Sequence, residues 1–533
     1  MPGKYYLTTP LYYVNSKPHI GHSYTNIACD ALARWHRLTG SEVLFLTGTD
    51  EHGQKIARAA EAAGMQPKEF TDKISEAFKD LWKKLNISHD DFIRTTESRH
   101  TKAVVKVWEK IKAAKVKVEG KQESVLYQNH YSGYYCVSCE TFITEGLIDP
   151  NNPTLCPDCK KPLERMEEDT YFLRISAYQE RLTKDIQDNK ILVMPETRKN
   201  EVLGFLLNNK LKDLSISRPK SRLTWGIPLP FDQEHVTYVW FDALINYISA
   251  VGYPDGKDFN KWWPADVHVI GKDILRHHAV LWPILLYALD LSLPKMVFAH
   301  GWWVQGGQKM SKSLGNVTDP IQIVDRYGVD AFRYFLLSET PFGSDGTFSE
   351  EALISRFNTD LANDIGNLLN RSLTMCEKYF EGIVPNLPNL PEKSAVGYES
   401  RELKAQAHLL FEKVDKAMNR LAFSEAISDI WSVINKANKF IETTAPWTLA
   451  KENRTEELKY VIITLVEVLK VIAQLVWPFI PEKAEGIWAQ LAISAPIHVL
   501  QRQPMSWSYS MFGIKIAKGA PLFPRIDIKK EKH

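Results

Sequence analysis

Residues 4–9, rich in Tyr and Thr, have the look of a short β-strand, and Tyr24, Ile27, Ala28, Leu32 and Trp35 then recur at steps of three and four. That periodicity predicts an amphipathic helix fed by a strand. Gly40 stands where a left-handed residue would close the helix, and residues 42–47 begin a second apolar run, so the three elements make a βαβ unit. The turn inside the unit reads Pro18-His19-Ile20-Gly21-His22. A βαβ unit sets a helix N-terminus just beyond the carboxyl end of a parallel strand, where free amides and the helix dipole favour an anion such as phosphate. Two imidazoles three residues apart can both donate to phosphate oxygens, and Gly21 lets a ligand approach the backbone. Read alone, the same string also fits an ordinary turn.

Helical patterns continue over residues 67–85 and 99–115, and then the texture changes to Tyr, Ser and Gly around Cys136, which marks an insertion. The stretches 214–218 and 225–228 lead back toward the sheet. Residues 238–243 open a helix containing Tyr247, and residues 265–270 and 296–299 are further apolar strands. Beyond Gly306-Gly307 the architecture becomes helical: 319–337, 350–380, and onward to about 500, with Pro385, Pro388 and Pro391 in a connecting loop. The most apolar run, 460–481, carries Glu467, Lys470 and Gln474 at helical spacing. One polar stripe suits a bundle helix rather than a membrane span. Residues 529–533 read as a frayed tail.

At 533 residues the chain can bury several cores, which suggests roughly three to four domains. With 44% hydrophobic and 24% charged residues it is globular, and 66 basic against 64 acidic residues leave a net charge of only +2. That balance does not announce a nucleic-acid binder, so any RNA surface would be a local basic patch. No secretory or transit pattern precedes the first strand, which predicts a cytoplasmic location and no membrane partner. Of six cysteines, four form two C-x-x-C pairs, Cys136/Cys139 and Cys156/Cys159, separated by 16 residues. This is the spacing of a zinc knuckle, and four thiolates close the coordination sphere, so the expected zinc is structural.

A second phosphate-type loop, Lys309-Met310-Ser311-Lys312-Ser313, follows the strand pattern at 296–299. Together with the His19 to His22 string, it makes the chain resemble the class I aminoacyl-tRNA synthetases, and among them the methionyl-tRNA synthetase family, over nearly its whole length. The resemblance implies that His19, His22, Lys309 and Lys312 stabilise the reacting phosphates, with Arg218 as a further catalytic group. Gly21, Gly271, Asp273 and Ser311 complete an ATP site. Methionine is implied to lie among Leu11, Tyr13, Trp240, Ala243, Tyr247, Ile274 and His278, its ammonium on Asp50. Read blindly, Asp50 could cap the helix beginning near residue 54. Asn367, Arg371 and Trp447 match positions that read the CAU anticodon of initiator and elongator tRNA(Met), a mode suited to unstacked RNA bases.

The expected fold class is therefore α/β: a Rossmann-type parallel sheet with a zinc-knuckle insertion, followed by an all-α anticodon-binding bundle. The expected divisions are 1–115 and 226–300 for the two halves of the catalytic domain, and 116–225 for the insertion. A loop and linker region takes 301–355, the helical domain 356–505, and a C-terminal extension 506–533. The implied reaction activates methionine with ATP, whose phosphates carry Mg²⁺, to methionyl-adenylate and pyrophosphate, and then transfers methionine to the terminal ribose of tRNA. Without the oligonucleotide-binding domain through which some relatives dimerise, a monomer is expected. Two rivals are another class I synthetase and a non-enzymatic RNA-binding module built on the knuckle. The former, for branched amino acids, needs a larger editing insertion, and the latter leaves two phosphate loops unexplained.

Overall fold

The structure, a computed structural model, describes residues 3–143, 148, 150, 152–157, 159–305, 308–309, 318–387, 394–498 and 511–527, with 305, 308 and 309 described in backbone only. Its first elements are β1 (Lys4–Thr8), β2 (Tyr12–Tyr13), α1 (Ile20–Leu38), β3 (Glu42–Asp50), α2 (Gln54–Ala62), α3 (Pro67–Lys84), β4 (Asp91–Arg94) and α4 (Ser98–Ala113). β1 and β3 are parallel, Tyr6 opposite Leu44 and Leu7 opposite Phe45, so the βαβ unit is present. Gly40, at φ 88°, follows the C-cap Thr39 in the left-handed conformation a helix end favours.

The main sheet has seven strands in the order Leu192–Met194, Met296–His300, Val267–Gly271, β1, β3, β2, with β4 also paired to β3, all parallel. Apolar clusters cover both faces, as an all-parallel sheet requires. From β1 the chain first adds β3 on one side and later Val267–Gly271 on the other. The crevice at the carboxyl ends beside such a reversal is where these sheets bind ligands. Gly48 in β3 has a steric reason: a Cβ there would come within 2.0 Å of the Ile93 carbonyl oxygen.

Leu192–Met194 lies inside the 116–225 segment expected as an insertion, yet it pairs with Met296–Phe298. Much of that segment makes a separate antiparallel sheet around the ribbon of Leu126–Cys136 and Glu164–Leu173, flanked by Leu214–Ser215 and Thr141–Ile143, with the helices Gln179–Gln187 and Glu196–Asn208 following Glu164–Leu173 in the chain. The stretches expected to lead back to the main sheet, Ser217–Pro219 and Pro228–Leu229, flank Asp232–Thr237 in a small sheet of three strands instead.

The predicted helix at 319–337 is two helices, Pro320–Tyr327 and Val329–Ser338, because Gly328 at φ 88° breaks it. The bundle then comprises a continuous helix over 350–380 with a π-helical stretch at Phe357–Gly366, followed by Ala395–Asn419, Phe423–Thr444, Pro446–Lys451, Thr455–Val476 and Pro481–Gln490. The polar stripe of Thr455–Val476 is covered rather than solvated: Glu467 and Gln474 are buried, and Glu467 Oε1 accepts from the Met511 N–H at 3.4 Å. Residues 511–527 fold back to supply that partner, and Asn358 and Ile526 exchange two further hydrogen bonds. Among the described residues no helix is long and apolar enough to cross a membrane.

Candidate active site and metal centre

α1 starts on its own histidines. His19 is the N-cap: its Nδ1 accepts from the Gly21 N–H at 3.1 Å, and its N–H donates to His22 Nδ1 at 3.1 Å. Both Nδ1 atoms act as acceptors, so in each neutral ring the proton sits on Nε2. The rings stack at 3.8 Å, and each is half-buried. The sequence thus builds a pair of aligned N–H donors at a helix N-terminus, next to the carboxyl end of β1. Tyr12 packs edge-on against His22 and accepts a hydrogen bond from Asn26 Nδ2.

His300, at the end of its strand, joins this helix to the neighbouring strand. Its Nδ1–H donates to the Gly301 carbonyl, so its Nε2 accepts from Thr25 Oγ1 at 2.7 Å. A Cβ on Gly271 would meet Asp273 Oδ1 at 2.6 Å and lie 3.9 Å from His300, so Gly271, Asp273 and the first turns of α1 share one crevice. Asp273 is exposed there, and its Oδ1 accepts from Trp302 Nε1 at 3.2 Å. Trp303 begins the strand Trp303–Gln305 and packs edge-on against Tyr24 of α1 at 5.6 Å. That strand pairs antiparallel with Gln308–Lys309, so the base of the lysine-bearing hairpin rests on α1. Lys309 is described in backbone only, and Ser311 and Lys312 lie outside the described residues.

The second group gathers beside it. Tyr13 meets Trp240 edge to face at 6.3 Å, and Trp240 stacks on His277 at 3.8 Å. His278 Nδ1–H donates to the Ile274 carbonyl, so its Nε2 accepts from the Tyr247 hydroxyl at 2.7 Å. Burial holds His278 at about 4 and His277 at about 3, so both rings are neutral at pH 7. Trp240, Ala243, Tyr247 and His278 are buried, and Leu11, Tyr13 and Ile274 half-buried. The arrangement is an aromatic cluster that carries uncharged imidazoles.

Asp50 ends β3 opposite Tyr13 of this cluster, buried and with Oδ1 lacking a hydrogen-bond partner. Burial, then Asp242 and Glu140, push its carboxyl well above the usual carboxylate range. It does not cap α2, whose N-cap is Gly53 with no side-chain hydrogen bond. Asp242, which sequence reasoning passed over, is fully buried and takes His52 Nδ1 and His100 Nε2 at 2.7 Å each. Burial raises its pKa, but these two rings more than offset it and hold it at about 2. Glu51, also missed, is clamped by Arg94 through two hydrogen bonds of 2.6 and 2.9 Å, and by Thr49 and Thr96. The available signal was an acid inside the apolar run at 238–243, since a buried carboxylate requires a partner.

Arg218 stands apart from the phosphate-side groups in its contacts. It is buried against the rings of Tyr135, Phe142 and Tyr238, donates to Ser215 and Ser217, and lies 3.8 Å from Glu168. In the bundle, Asn367 is exposed, Arg371 pairs with Glu442 at 2.7 Å, and Trp447 is 47% exposed just after Ala445, itself at φ 41°.

The four cysteines converge, with all Sγ atoms within 4.8 Å of one another. Tetrahedral Zn–S bonds of about 2.3 Å imply S···S separations of roughly 3.8 Å, which this cluster matches. As bare thiols they conflict: the hydrogen bond from Cys139 holds Cys136 down at about 5, and the same contact pushes Cys139 well up. A dication would remove that conflict by stabilising every thiolate at once. The donor set therefore fits a structural metal.

Known proteins resemble the chain over nearly its whole length. Residues 5–373 match the family of class I tRNA synthetases of the methionine type, and residues 390–528 match the anticodon binding domain of methionyl tRNA ligase. The methionine–tRNA ligase of Caldanaerobacter subterraneus subsp. tengcongensis is 48% identical over 100% of this chain and 80% of its own length. That of Clostridium tetani is 47% identical over 98% of this chain and 79% of its own. The solved Mycobacterium tuberculosis methionyl-tRNA synthetase in complex with methionyl-adenylate superposes with TM-score 0.90 at 39% identity, covering 98% of this chain and 100% of that one. Its apo form gives 0.83 at 36%, covering 99% of each. The chain belongs to the methionyl-tRNA synthetase family of class I.

Proposed function

We propose that the chain is a methionine–tRNA ligase whose site works as follows. A methionine carboxylate oxygen attacks the α-phosphorus of ATP, the bond to pyrophosphate breaks, and the terminal ribose of tRNA(Met) then displaces AMP from the adenylate. The observation that carries the reading is Asp50: a buried acid with an unpartnered oxygen, beside an uncharged aromatic pocket, complements an ammonium and a thioether in one ligand. Leu11, Tyr13, Trp240, Ala243, Tyr247, Ile274 and His278 take the side chain, and shape is their instrument.

His19 and His22 present their Nε2 protons to the phosphates, with Gly21 allowing close approach. Gly271 and Asp273 take the adenosine. Lys309, Ser311 and Lys312 are assigned to the phosphates by the resemblance, and Mg²⁺ enters as part of the ATP substrate. Catalysis then rests on positioning and on donors aimed where charge develops. Arg218 is given a supporting part, because its ring contacts and its ion pair face the insertion. Zinc on Cys136, Cys139, Cys156 and Cys159 holds the knuckle's fold.

Asn367, Arg371 and Trp447 form the anticodon surface, where an exposed indole can stack on a base. The chain is assigned as a monomer in the cytoplasm, as the resemblance implies. The chain divides into 1–115, 116–225, 226–300, 301–355, 356–505 and 506–533, with Leu192–Met194 counted to the sheet.

The test is ATP–pyrophosphate exchange with each amino acid in turn. Exchange confined to methionine is expected, and exchange with another amino acid, or with none, sinks the reading. Lys312→Ala is expected to slow adenylate formation by about 10²–10³-fold with methionine affinity unchanged. Equal exchange rates in variant and parent would remove Lys312 from the phosphates.

A further inference from the structure

We propose that Glu140 is the positioning residue through which the cysteine cluster fixes the rim of the amino-acid pocket, an inference that rests on the function proposed above. Glu140 directly follows Cys139, is 2% exposed, and sits at φ 51°, a conformation that favours glycine. A glutamate occupies a strained, buried position, and its polar atoms are engaged. Oε1 accepts from the Lys55 N–H at 2.6 Å, Oε2 accepts from the Tyr135 hydroxyl, and the carbonyl accepts from the Tyr238 hydroxyl at 2.6 Å.

The Lys55 contact matters because Gly53 caps α2 without a side chain. Glu140 supplies the missing acceptor from another part of the chain, and a Cβ on Gly53 would come within 3.0 Å of Glu140 Oε1. α2 is the helix that leaves the sheet directly after Asp50. The two preceding residues reach the pocket walls as well, Cys139 directly and Ser138 through Lys55. The Ser138 carbonyl accepts from Lys55 Nζ at 3.1 Å, and that ammonium lies 5.1 Å over the Tyr13 ring. The Cys139 carbonyl accepts from Trp240 Nε1–H at 3.3 Å.

Three consecutive residues, Ser138, Cys139 and Glu140, therefore hold Tyr13, Trp240 and the start of α2. The turn they belong to is shaped by Cys136 and Cys139, two of the four sulfur donors. Loosening the cluster releases the pocket rim, while the His19–His22 pair and the Gly271–Asp273 crevice share none of these contacts. Metal loss is then felt as weaker methionine binding and not as weaker ATP binding.

The experiment measures methionine affinity by calorimetry, without ATP, on zinc-loaded and chelated protein, alongside zinc content and the KM values for methionine and ATP in exchange. Chelating the parent is expected to raise the methionine Kd about tenfold. Glu140→Ala with its zinc retained gives a rise of similar size, and chelating that variant adds less than about twofold. KM for ATP holds in both. Glu140→Gln, which keeps an acceptor for the Lys55 N–H, restores parental affinity. Parental methionine affinity in Glu140→Ala, or an equal rise in KM for ATP, overturns the proposal. Should Glu140→Ala not fold, Trp240→Phe takes its place: it is expected to weaken the dependence of methionine affinity on zinc, and an undiminished dependence overturns the proposal. A parent without methionine-dependent exchange overturns the function itself, whereas exchange in the parent with an indifferent Glu140→Ala overturns this inference alone.

Discussion

Asp50 combines two properties that separate binding from stability. Its folded-state pKa is raised, chiefly by burial, so the folded protein holds its proton more tightly than the unfolded chain does. This carboxyl's contribution to stability therefore falls as pH rises above the unfolded value of about 4. Asp50→Asn removes that cost, and the variant is expected to melt at or above the parent at pH 8, with the difference shrinking toward pH 4. The same change removes the partner proposed for the methionine ammonium, which is expected to cost about 1.5–3 kcal/mol, or roughly ten- to a hundredfold in KM for methionine. A variant with parental KM would show that the ammonium binds elsewhere. Asp50, His19 and His22 could be singled out because contiguous strings carry them. The protonation pattern around them was not, since it depends on distant partners: His100 reaches Asp242 across 142 positions, and Thr25 reaches His300 across 275.

At the scale of elements, long periodic runs were readable and short or composite ones were not. α1 emerged close to its observed bounds because several positions report one period, whereas the apolar run at 460–481 overlaps the helix Thr455–Val476 but lies five residues further along. Leu192–Met194 has three residues, too few to show any period, and its place in the sheet is set by pairing with Met296–Phe298. The stripe on Thr455–Val476 was visible, but its cover was not, because residues 511–527 return from beyond the bundle. The knuckle was legible from spacing alone. Its sulfur cluster ties the end of Leu126–Cys136 to the turn at Cys156 and Cys159, a region whose apolar core is small. Chelation is therefore expected to release one zinc per chain and to speed amide exchange in Leu126–Cys136 and Thr141–Ile143, while α1 and β1 keep their protection. Unchanged exchange in the knuckle after complete metal loss would mean that thiols alone hold it.

The whole molecule is joined by a side chain that no motif announces. Arg333, fully buried in Val329–Ser338, donates to Asp30 of α1 at 2.6 Å, to the Leu85 carbonyl after α3, and to the Pro478 and Phe479 carbonyls of the bundle. Both modules thus close on one guanidinium, and Asp30 also holds Arg34 and Ser88. Burial raises the Asp30 pKa, but Arg34, Arg333 and Ser88 overcome it and set the carboxyl at about 2. A depressed carboxylate stabilises the fold above its unfolded pKa, and that contribution is lost as pH falls from about 4 through 2. The shift corresponds to roughly 2–3 kcal/mol. Arg333→Met would leave three buried carbonyls without their donor and Asp30 with one guanidinium, a change of the kind that costs about 3–5 kcal/mol. Two readings are expected together. The acid-unfolding midpoint moves to higher pH because Asp30 loses part of its counter-charge. The parent is expected to melt in one calorimetric transition, which in the variant lowers and broadens toward two, because the catalytic sheet and the bundle no longer share that joint. A variant that melts in one parental transition with an unmoved acid midpoint would show that the shared apolar core, which runs unbroken from α1 into the bundle, couples the modules without Arg333.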